Sequence, residues 1–261
     1  MNELKLLDDI GLTPGEAAFI TGTGGKTTLL WHLAALASRR GKVIAGVTAK
    51  MMPPAEQSYD ALILDPAEYD PKHHAENRIQ LLASGRNGAG KLLGLSEEQV
   101  RRLTYPDTYF ILEADGSRGR KLKMWYDHEP PVYPVEGLTL GILPITALHE
   151  TMTEDSVYNP EAFHQATGLN EGEQVTREAL LEMALNPNGM FRNSKGRRVL
   201  LINQCDSDRL FQNALDLSRL IAEDGRSQGI SAIICLSLKE LAHEDHRHYS
   251  CRRLIPADKT E

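Results

Sequence analysis

The chain has 261 residues, of which 41% are hydrophobic and 25% are charged, with a net charge of -7 and a pI near 5.7. This size and composition are ordinary for a globular protein with a substantial core. The acidic balance disfavours general nucleic-acid binding, and we find neither an apolar run long enough to span a membrane nor a signal-peptide core near Met1. We therefore expect a cytoplasmic protein that has neither nucleic acid nor a membrane as a partner.

Strand-like and helix-like segments alternate along the chain. Apolar and β-branched runs predict strands at 17–20, 42–48, 61–64, 109–113, 138–143, 198–203 and 230–236. Helical spacing predicts helices at 29–40, 74–103 (interrupted by a loop at 84–90), 160–168, 176–185 and 208–223. This alternation indicates a doubly wound α/β fold with a mostly parallel sheet of P-loop NTPase type. We expect one domain over 1–261, with a tail at 243–261 outside its packed part.

A glycine-rich segment follows the first predicted strand and precedes the first long helix, and it is Gly22-Thr23-Gly24-Gly25-Lys26-Thr27-Thr28. Glycines let backbone N–H groups approach phosphate oxygens closely, and the start of a helix favours an anion. Lys26 would then contact the β and γ phosphates, and the hydroxyl of Thr27 or Thr28 would bind Mg²⁺. The segment predicts a phosphate-binding loop.

The match to the common loop pattern is partial, because Ile20 stands where G-x-x-x-x-G-K-[ST] has its first glycine. The shorter G-x-x-G-K-T form remains, with Gly24 as an additional glycine. The alternative is an ordinary left-handed glycine turn between a strand and a helix.

Two carboxylates stand at the end of the strand predicted at 109–113, and they are Glu113 and Asp115. Side chains two positions apart in a strand share a face, so both should project together toward a Mg²⁺ ion bound at the phosphate loop. Gly116 directly afterwards permits close approach to a phosphate. The alternative is an acidic cap before a turn.

Several cations stand near these strand ends. Arg118, Arg120 and Lys123 form a basic cluster that could hold an anionic second substrate or the transferring phosphoryl group. Thr48-Ala49-Lys50 ends the second predicted strand, and Lys50 is a candidate contact for the γ phosphate. A solvated loop and a plain surface lysine are the respective alternatives.

The segment Asn203-Gln204-Cys205-Asp206 follows another strand and resembles the guanine-reading pattern Asn-Lys-x-Asp. The Asp206 carboxylate can accept hydrogen bonds from guanine N1 and N2, with Asn203 beside it. Gln204 replaces the lysine of that pattern, so the choice between ATP and GTP stays open.

The three cysteines, Cys205, Cys235 and Cys251, fit neither a disulfide framework nor a C-x-x-C metal site. We expect buried or incidental thiols in a reducing compartment. The tail from His243 to Cys251 is rich in metal-ligand types, so metal binding there is left open beside a solvated tail.

Taken together, these motifs and their order along the chain resemble the YqeC family. The resemblance rests on the predicted phosphate loop, 47–54, 112–120, Lys123, 128–130, Asn203 and Asp206. It implies a phosphate-loop fold and a role as an accessory protein in the maturation of selenium-dependent molybdenum hydroxylases. Ala49 and Gln204 stand where threonine and lysine are more usual in that family. The phosphate loop by itself is also similar to the nucleotide loop of Mur ligases.

The expected function is therefore Mg²⁺-dependent binding of ATP or GTP, with NTP hydrolysis or phosphoryl transfer. Lys26, Lys50, Asp115, Arg118 and Arg120 are the candidate catalytic residues. Thr27, Glu113 and Asp115 are the candidate metal ligands. The partners expected besides the nucleotide are an anionic small molecule or a molybdenum hydroxylase client. The alternatives are an ATP-dependent ligase and a nucleotide-gated insertion chaperone.

Overall fold

A computed structural model describes residues 5–241, which build a central sheet of eight strands. Its strands, in chain order, are β1 (Ala17–Gly22), β2 (Lys42–Val47), β3 (Ala61–Ile63), β4 (Ile79–Leu82), β5 (Thr108–Glu113), β7 (Gly137–Pro144), β9 (Arg197–Asn203) and β10 (Ile230–Cys235). They lie in the order β10-β9-β7-β1-β5-β2-β4-β3, and every neighbouring pair is parallel. Two short strands, β6 (Leu122–Lys123) and β8 (Val157–Tyr158), form a separate parallel pair.

Helices cover both faces of the central sheet. They are α1 (Lys5–Ile10), α2 (Lys26–Ser38), α3 (Glu97–Leu103), α4 (Pro160–Thr167), α5 (Arg177–Leu185), α6 (Asp208–Glu223) and α7 (Leu238–Leu241). Successive side chains of a strand point to opposite faces. In β9, Val199 and Leu201 accordingly belong to the core under α1 and α2, whereas Leu200 and Ile202 belong to the core under α5 and α6.

The predicted doubly wound α/β fold is confirmed, because the strands are parallel and a helical layer covers each face. Most predicted strands and the helices after residue 160 appear within two or three residues of their expected ends. Gly137 and Gly196 allow the edges of β1, β7 and β9 to meet, since an added Cβ would lie 2.3 Å from the Ala17 carbonyl oxygen and 1.9 Å from that of Gly137 respectively.

The helix predicted over 74–103 is wrong in its first part. Residues Ile79–Leu82 form β4, which pairs with both β2 and β3, and only Glu97–Leu103 is helical. A short apolar run suits a buried strand or a buried helix equally, and here the pairing with two neighbouring strands decides. The helix that does form begins at Glu97, and the side chains of the preceding Ser96 and of Gln99 make a capping box.

Cys205 and Cys235 are buried and form no disulfide among the described residues, and burial raises the pKa of the Cys235 thiol to about 12. Cys251 and the histidine-rich segment 243–251 lie outside the described residues. Within 5–241, none of the helices combines the length and apolar character that a membrane crossing requires. The assignment of a single domain to residues 1–261 stays a prediction.

Candidate functional site

The register of the parallel strands brings the predicted motifs to one edge of the sheet. Ile20 of β1 pairs with Glu113 of β5, and Gly22 pairs with Ile142 of β7. Pro144, at the end of β7, pairs with Asn203 of β9. The carboxyl ends of four strands therefore meet, which is where ligands bind in open parallel sheets.

The loop between β1 and α2 needs its glycines for two separate reasons. Gly22, Gly24 and Gly25 have φ angles of 103°, 78° and 135°, a region that residues with a Cβ rarely adopt. The loop also packs closely on its neighbours. An added Cβ would lie 2.1 Å from the Ile142 carbonyl oxygen at Gly22, and 2.6 Å from Asn203 Nδ2 at Gly25.

This loop leaves a series of backbone donors without an acceptor. α2 begins at Lys26, and the first internal bond at this end runs from Leu29 N–H to the Gly25 carbonyl. Among the described residues, no acceptor contacts the N–H groups from Gly24 to Thr28. Consecutive free N–H groups at the start of a helix form a binding site for an anion.

Lys26 is buried beside this loop, with 5% of its side chain exposed. Its Nζ donates a 2.5 Å hydrogen bond to the Gly22 carbonyl and lies 3.5 Å from Asp115 Oδ1. The ammonium is thus held at the mouth of the loop, with only part of its donor capacity used. Thr23 fixes the other side of the loop, since its hydroxyl donates a 2.6 Å hydrogen bond to the Lys121 carbonyl.

Glu113 faces the first turn of α2. Its Oε2 accepts a 2.7 Å hydrogen bond from the Thr27 hydroxyl, and the residue is 9% exposed. Burial raises the pKa of the Glu113 carboxyl above its ordinary value of 4.5, and the nearby Lys26 charge and the Thr27 hydroxyl only partly oppose this shift. A hydroxyl and a carboxylate side by side are a suitable pair of ligands for Mg²⁺.

Asp115 lies behind the loop and is 1% exposed. It accepts a 2.6 Å hydrogen bond from Trp125 Nε1 and a 3.2 Å hydrogen bond from Gly22 N–H, and Lys123 Nζ lies 3.0 Å from its Oδ2. With Lys26 also nearby, four donors surround this carboxylate. Glu113 and Asp115 thus lie near each other, as predicted, but their environments differ.

The basic cluster divides into three different environments. Arg118 is exposed, adopts a φ of 52° and stacks over the Tyr158 ring at 5.6 Å. Arg120 Nε donates to the Asp155 carbonyl at 3.1 Å. Lys123 is fully buried and lies 3.2 Å from Glu129 Oε1 as well as near Asp115. Of these three residues, only Arg118 and Arg120 therefore line the cleft.

The end of β9 and the residues after it pack against the glycine-rich loop. Asn203 Nδ2 donates to the Gly24 carbonyl at 2.7 Å, and its Oδ1 accepts from Leu238 N–H at 3.0 Å. Gln204 accepts a hydrogen bond from the Thr146 hydroxyl, and the exposed Asp206 accepts one from the Ser237 hydroxyl at 2.5 Å. Asn203 therefore positions the loop, while Asp206 lies at the surface.

A cleft of about 1000 Å³ joins these residues, and its volume is sufficient for a nucleotide. The predicted site residues that line it are Gly24, Gly25, Lys26, Thr27, Thr28, Lys50, Glu113, Arg118, Arg120, Asn203 and Asp206. Gly22, Thr23 and Asp115 instead lie buried behind the loop. Within 5–241, no three His, Cys, Asp or Glu side chains form a cluster that could hold a metal ion.

Several residues of the site were not predicted from the sequence. Trp125 and Glu129 complete the environment of Asp115 and Lys123, and Thr48 lies buried at the end of β2. The sequence did contain one signal for these contacts, because Lys123, Trp125 and Glu129 stand within seven residues of one another. Their contacts with Asp115 depend on the path of the chain after β5.

A parallel doubly wound sheet with a glycine-rich loop between its first strand and the following helix places this protein in the class of α/β proteins with P-loop NTPase-like architecture. A family model described as YqeC protein matches residues 18–161. The chain is also 30% identical, over 196 residues, to the protein named Uncharacterized protein YqeC of Escherichia coli (strain K12). That alignment covers 72% of this chain and 77% of the Escherichia coli protein. The chain belongs to the YqeC family.

Proposed function

We propose that this protein binds a nucleoside triphosphate together with Mg²⁺ in the cleft at the end of β1. The observation that carries the proposal is the arrangement of Lys26, Thr27 and Glu113 around a loop with free backbone N–H groups. A binding site for a chain of phosphates needs donors that follow its oxygens and a cation that balances its charge. The segment from Gly24 to Thr28 offers free N–H groups as donors and Lys26 as the cation.

Each residue of the loop has a definite part in this proposal. The N–H groups from Gly24 to Thr28 would donate to the β and γ phosphate oxygens. Lys26 would turn from the Gly22 carbonyl toward these oxygens while staying near Asp115. Asp115 thereby acts on the nucleotide through Lys26 and Gly22 rather than by direct contact.

Thr27 and Glu113 fit Mg²⁺ best, because their oxygens already lie 2.7 Å apart beside the free N–H groups. The ion would neutralise charge on the β and γ phosphates. Glu113 must be ionised to bind it, and its buried position makes this dependent on pH. Asp115, surrounded by four donors, is the less suitable ligand of the two predicted carboxylates.

The cations across the cleft supply the remaining charge. Lys50 and Arg118 line the cleft, and neither has a carboxylate partner among residues 5–241. They are suited to contact the γ phosphate and the charge that develops during its transfer. Arg120 is available from the same wall after release of its contact with Asp155.

This chemistry supports NTP hydrolysis or phosphoryl transfer, and the resemblance described above suggests its use in the maturation of selenium-dependent molybdenum hydroxylases. The first experiment is calorimetric titration of the whole protein with ATP and with GTP, each with and without Mg²⁺. We expect saturable binding that Mg²⁺ strengthens. The absence of binding by either nucleotide would refute the proposal.

A second experiment separates an enzyme from a nucleotide-gated insertion factor. Phosphate release at steady state is measured with and without a molybdenum hydroxylase client. An enzyme acting on a small molecule should not respond to the client, whereas a gated factor should turn over faster in its presence.

A further inference from the structure

A second cavity, of about 920 Å³, adjoins the nucleotide cleft. Lys50, Gly116 and Arg118 line both spaces, so they form the border between them. The second cavity lies on the far side of this border from the phosphate loop, between the end of β2 and the start of α3. A molecule bound there would face the end of the cleft that contains Lys50 and Arg118.

The wall of this second cavity carries an excess of positive charge. Lys50, Lys91 and Arg118 line it, and in the part of the chain that the structure describes none of them forms an ion pair with a carboxylate. Glu129 is the acidic residue of the described lining, and it is paired with the buried Lys123 at 3.2 Å. The charge excess favours an anionic ligand.

One residue that lines the cavity, Thr48, has a buried hydroxyl group without a partner among the described residues. Thr48 is 8% exposed, and no atom of the described residues accepts from or donates to its Oγ1. Nearby polar groups are satisfied, since Ser84 Oγ donates to the Gly94 carbonyl at 2.7 Å and Tyr133 OH to the Leu95 carbonyl at 2.6 Å. Buried polar groups in native proteins nearly always have a partner, and a ligand atom that reaches the Thr48 hydroxyl from the cavity would supply one.

Part of the remaining wall is apolar and aromatic. Leu93, Leu95 and the rings of Tyr133 and Tyr158 line it, and the Arg118 guanidinium lies 5.6 Å from the centre of the Tyr158 ring. Surfaces of this kind pack against a flat carbon skeleton. An inorganic anion alone would leave them uncovered.

We propose that this second cavity binds a small organic anion, with its charged group near Lys50, Lys91 and Arg118, a polar atom at Thr48 and its flat body on the tyrosines. The proposal builds on the proposed function, since it gives the chemical class of the second ligand of a nucleotide-binding protein. Binding in the cavity does not itself require a nucleotide. The two proposals can therefore fail separately.

Phenyl phosphate is a suitable probe, because it combines an anionic group with an aromatic ring. Its affinity is measured by calorimetry for the wild type and for Lys91→Met, Thr48→Val, Lys26→Met and the exposed control Lys72→Met. We expect Lys91→Met to weaken binding by about tenfold and Thr48→Val by about threefold. Lys26→Met and Lys72→Met should retain the wild-type affinity. Thermal unfolding of each variant verifies that it is folded.

Three results would overturn this proposal. The first is no binding of phenyl phosphate up to about 10 mM. The second is displacement of the probe by ATP with loss of affinity in Lys26→Met, which would locate the probe in the phosphate loop and leave the nucleotide proposal intact. The third is equal affinity for phenyl phosphate and inorganic phosphate, which would exclude a role of the aromatic wall. Weaker probe binding in Lys91→Met by a protein that binds no nucleotide would support the cavity and refute the proposed function.

Discussion

Lys123 Nζ lies 3.0 Å from Asp115 Oδ2, and neither side chain is exposed to solvent. Lys26 Nζ lies 3.5 Å from the same carboxylate, and Glu129 Oε1 lies 3.2 Å from Lys123 Nζ. Two ammonium groups and two carboxylates thus alternate in a buried row. This row keeps the Lys26 ammonium near Asp115 before any ligand binds.

Replacing Lys123 by methionine should strongly destabilise the fold. The substitution removes the nearer of the two ammonium partners of Asp115 and the ammonium partner of Glu129 while both carboxylates remain buried. Losing one member of such a network costs about 3–5 kcal/mol. The free energy of unfolding from urea titration measures this loss.

Lys121→Met is the matched control for this prediction, two residues away. Lys121 pairs with Glu150, but their side chains are 40% and 36% exposed, so its loss should cost at most about 1 kcal/mol. Equal stability losses in the two variants would show that the buried row contributes no more than a surface pair.

Lys26→Met should abolish tight binding of nucleotides without unfolding the protein. Asp115 keeps Lys123, Trp125 and Gly22 N–H as partners when Lys26 is absent. A charge-assisted contact contributes about 2–3 kcal/mol, so ATP and GTP affinities in calorimetry should fall about a hundredfold. Lys42→Met, at the other end of β2, should bind as the wild type does, and unchanged affinities in Lys26→Met would reject the phosphate-loop assignment.

Glu113→Gln should remove the gain in nucleotide affinity that Mg²⁺ confers. In the wild type this gain should grow as the pH rises through the raised pKa of Glu113, because only the carboxylate binds the ion. In the glutamine variant it should be small and independent of pH. Calorimetric titrations between about pH 5 and pH 8 test this prediction, and a wild-type response to Mg²⁺ in the variant would place the ion elsewhere.

The same substitution should change the pH dependence of stability. Burial raises the pKa of Glu113 in the folded state, so the protonated side chain favours folding. This contribution to the free energy of unfolding is complete below the unfolded pKa near 4.5, and it is lost as the pH rises through the folded pKa. Glu113→Gln should therefore be more stable than the wild type at neutral pH, without ligands, and the difference should vanish near pH 4. Urea titrations at both pH values measure it, and a constant difference would contradict the assignment.

The base preference should be weak. Asp206 is exposed and can accept two hydrogen bonds from guanine, but Gln204 lacks the aliphatic stem and charge of a lysine. We expect GTP to bind more tightly than ATP by less than about a hundredfold. Gln204→Lys should widen this difference and Asp206→Asn should erase it. A preference of several thousandfold in the wild type would contradict the prediction.

The sequence alone predicted the parallel fold and the glycine-rich loop between β1 and α2, because both depend on local patterns. Alternating apolar runs specify the strands and helices, and Gly22 to Thr28 combine residue types whose conformational and chemical preferences act within a few positions. The position of Glu113 beside this loop also followed, since parallel strand ends meet at one edge.

Only the tertiary structure decided the rest. Ile79–Leu82 became a strand because two neighbouring strands lie beside it, which no local pattern encodes. Asp115 was predicted as a metal ligand and Lys123 as a contact for an anion, whereas long-range packing buries both against Trp125 and Glu129. The tertiary structure also buries the Thr48 hydroxyl without a partner among the described residues. The sequence could not predict this, because the partners of a hydroxyl depend on all the segments that fold around it.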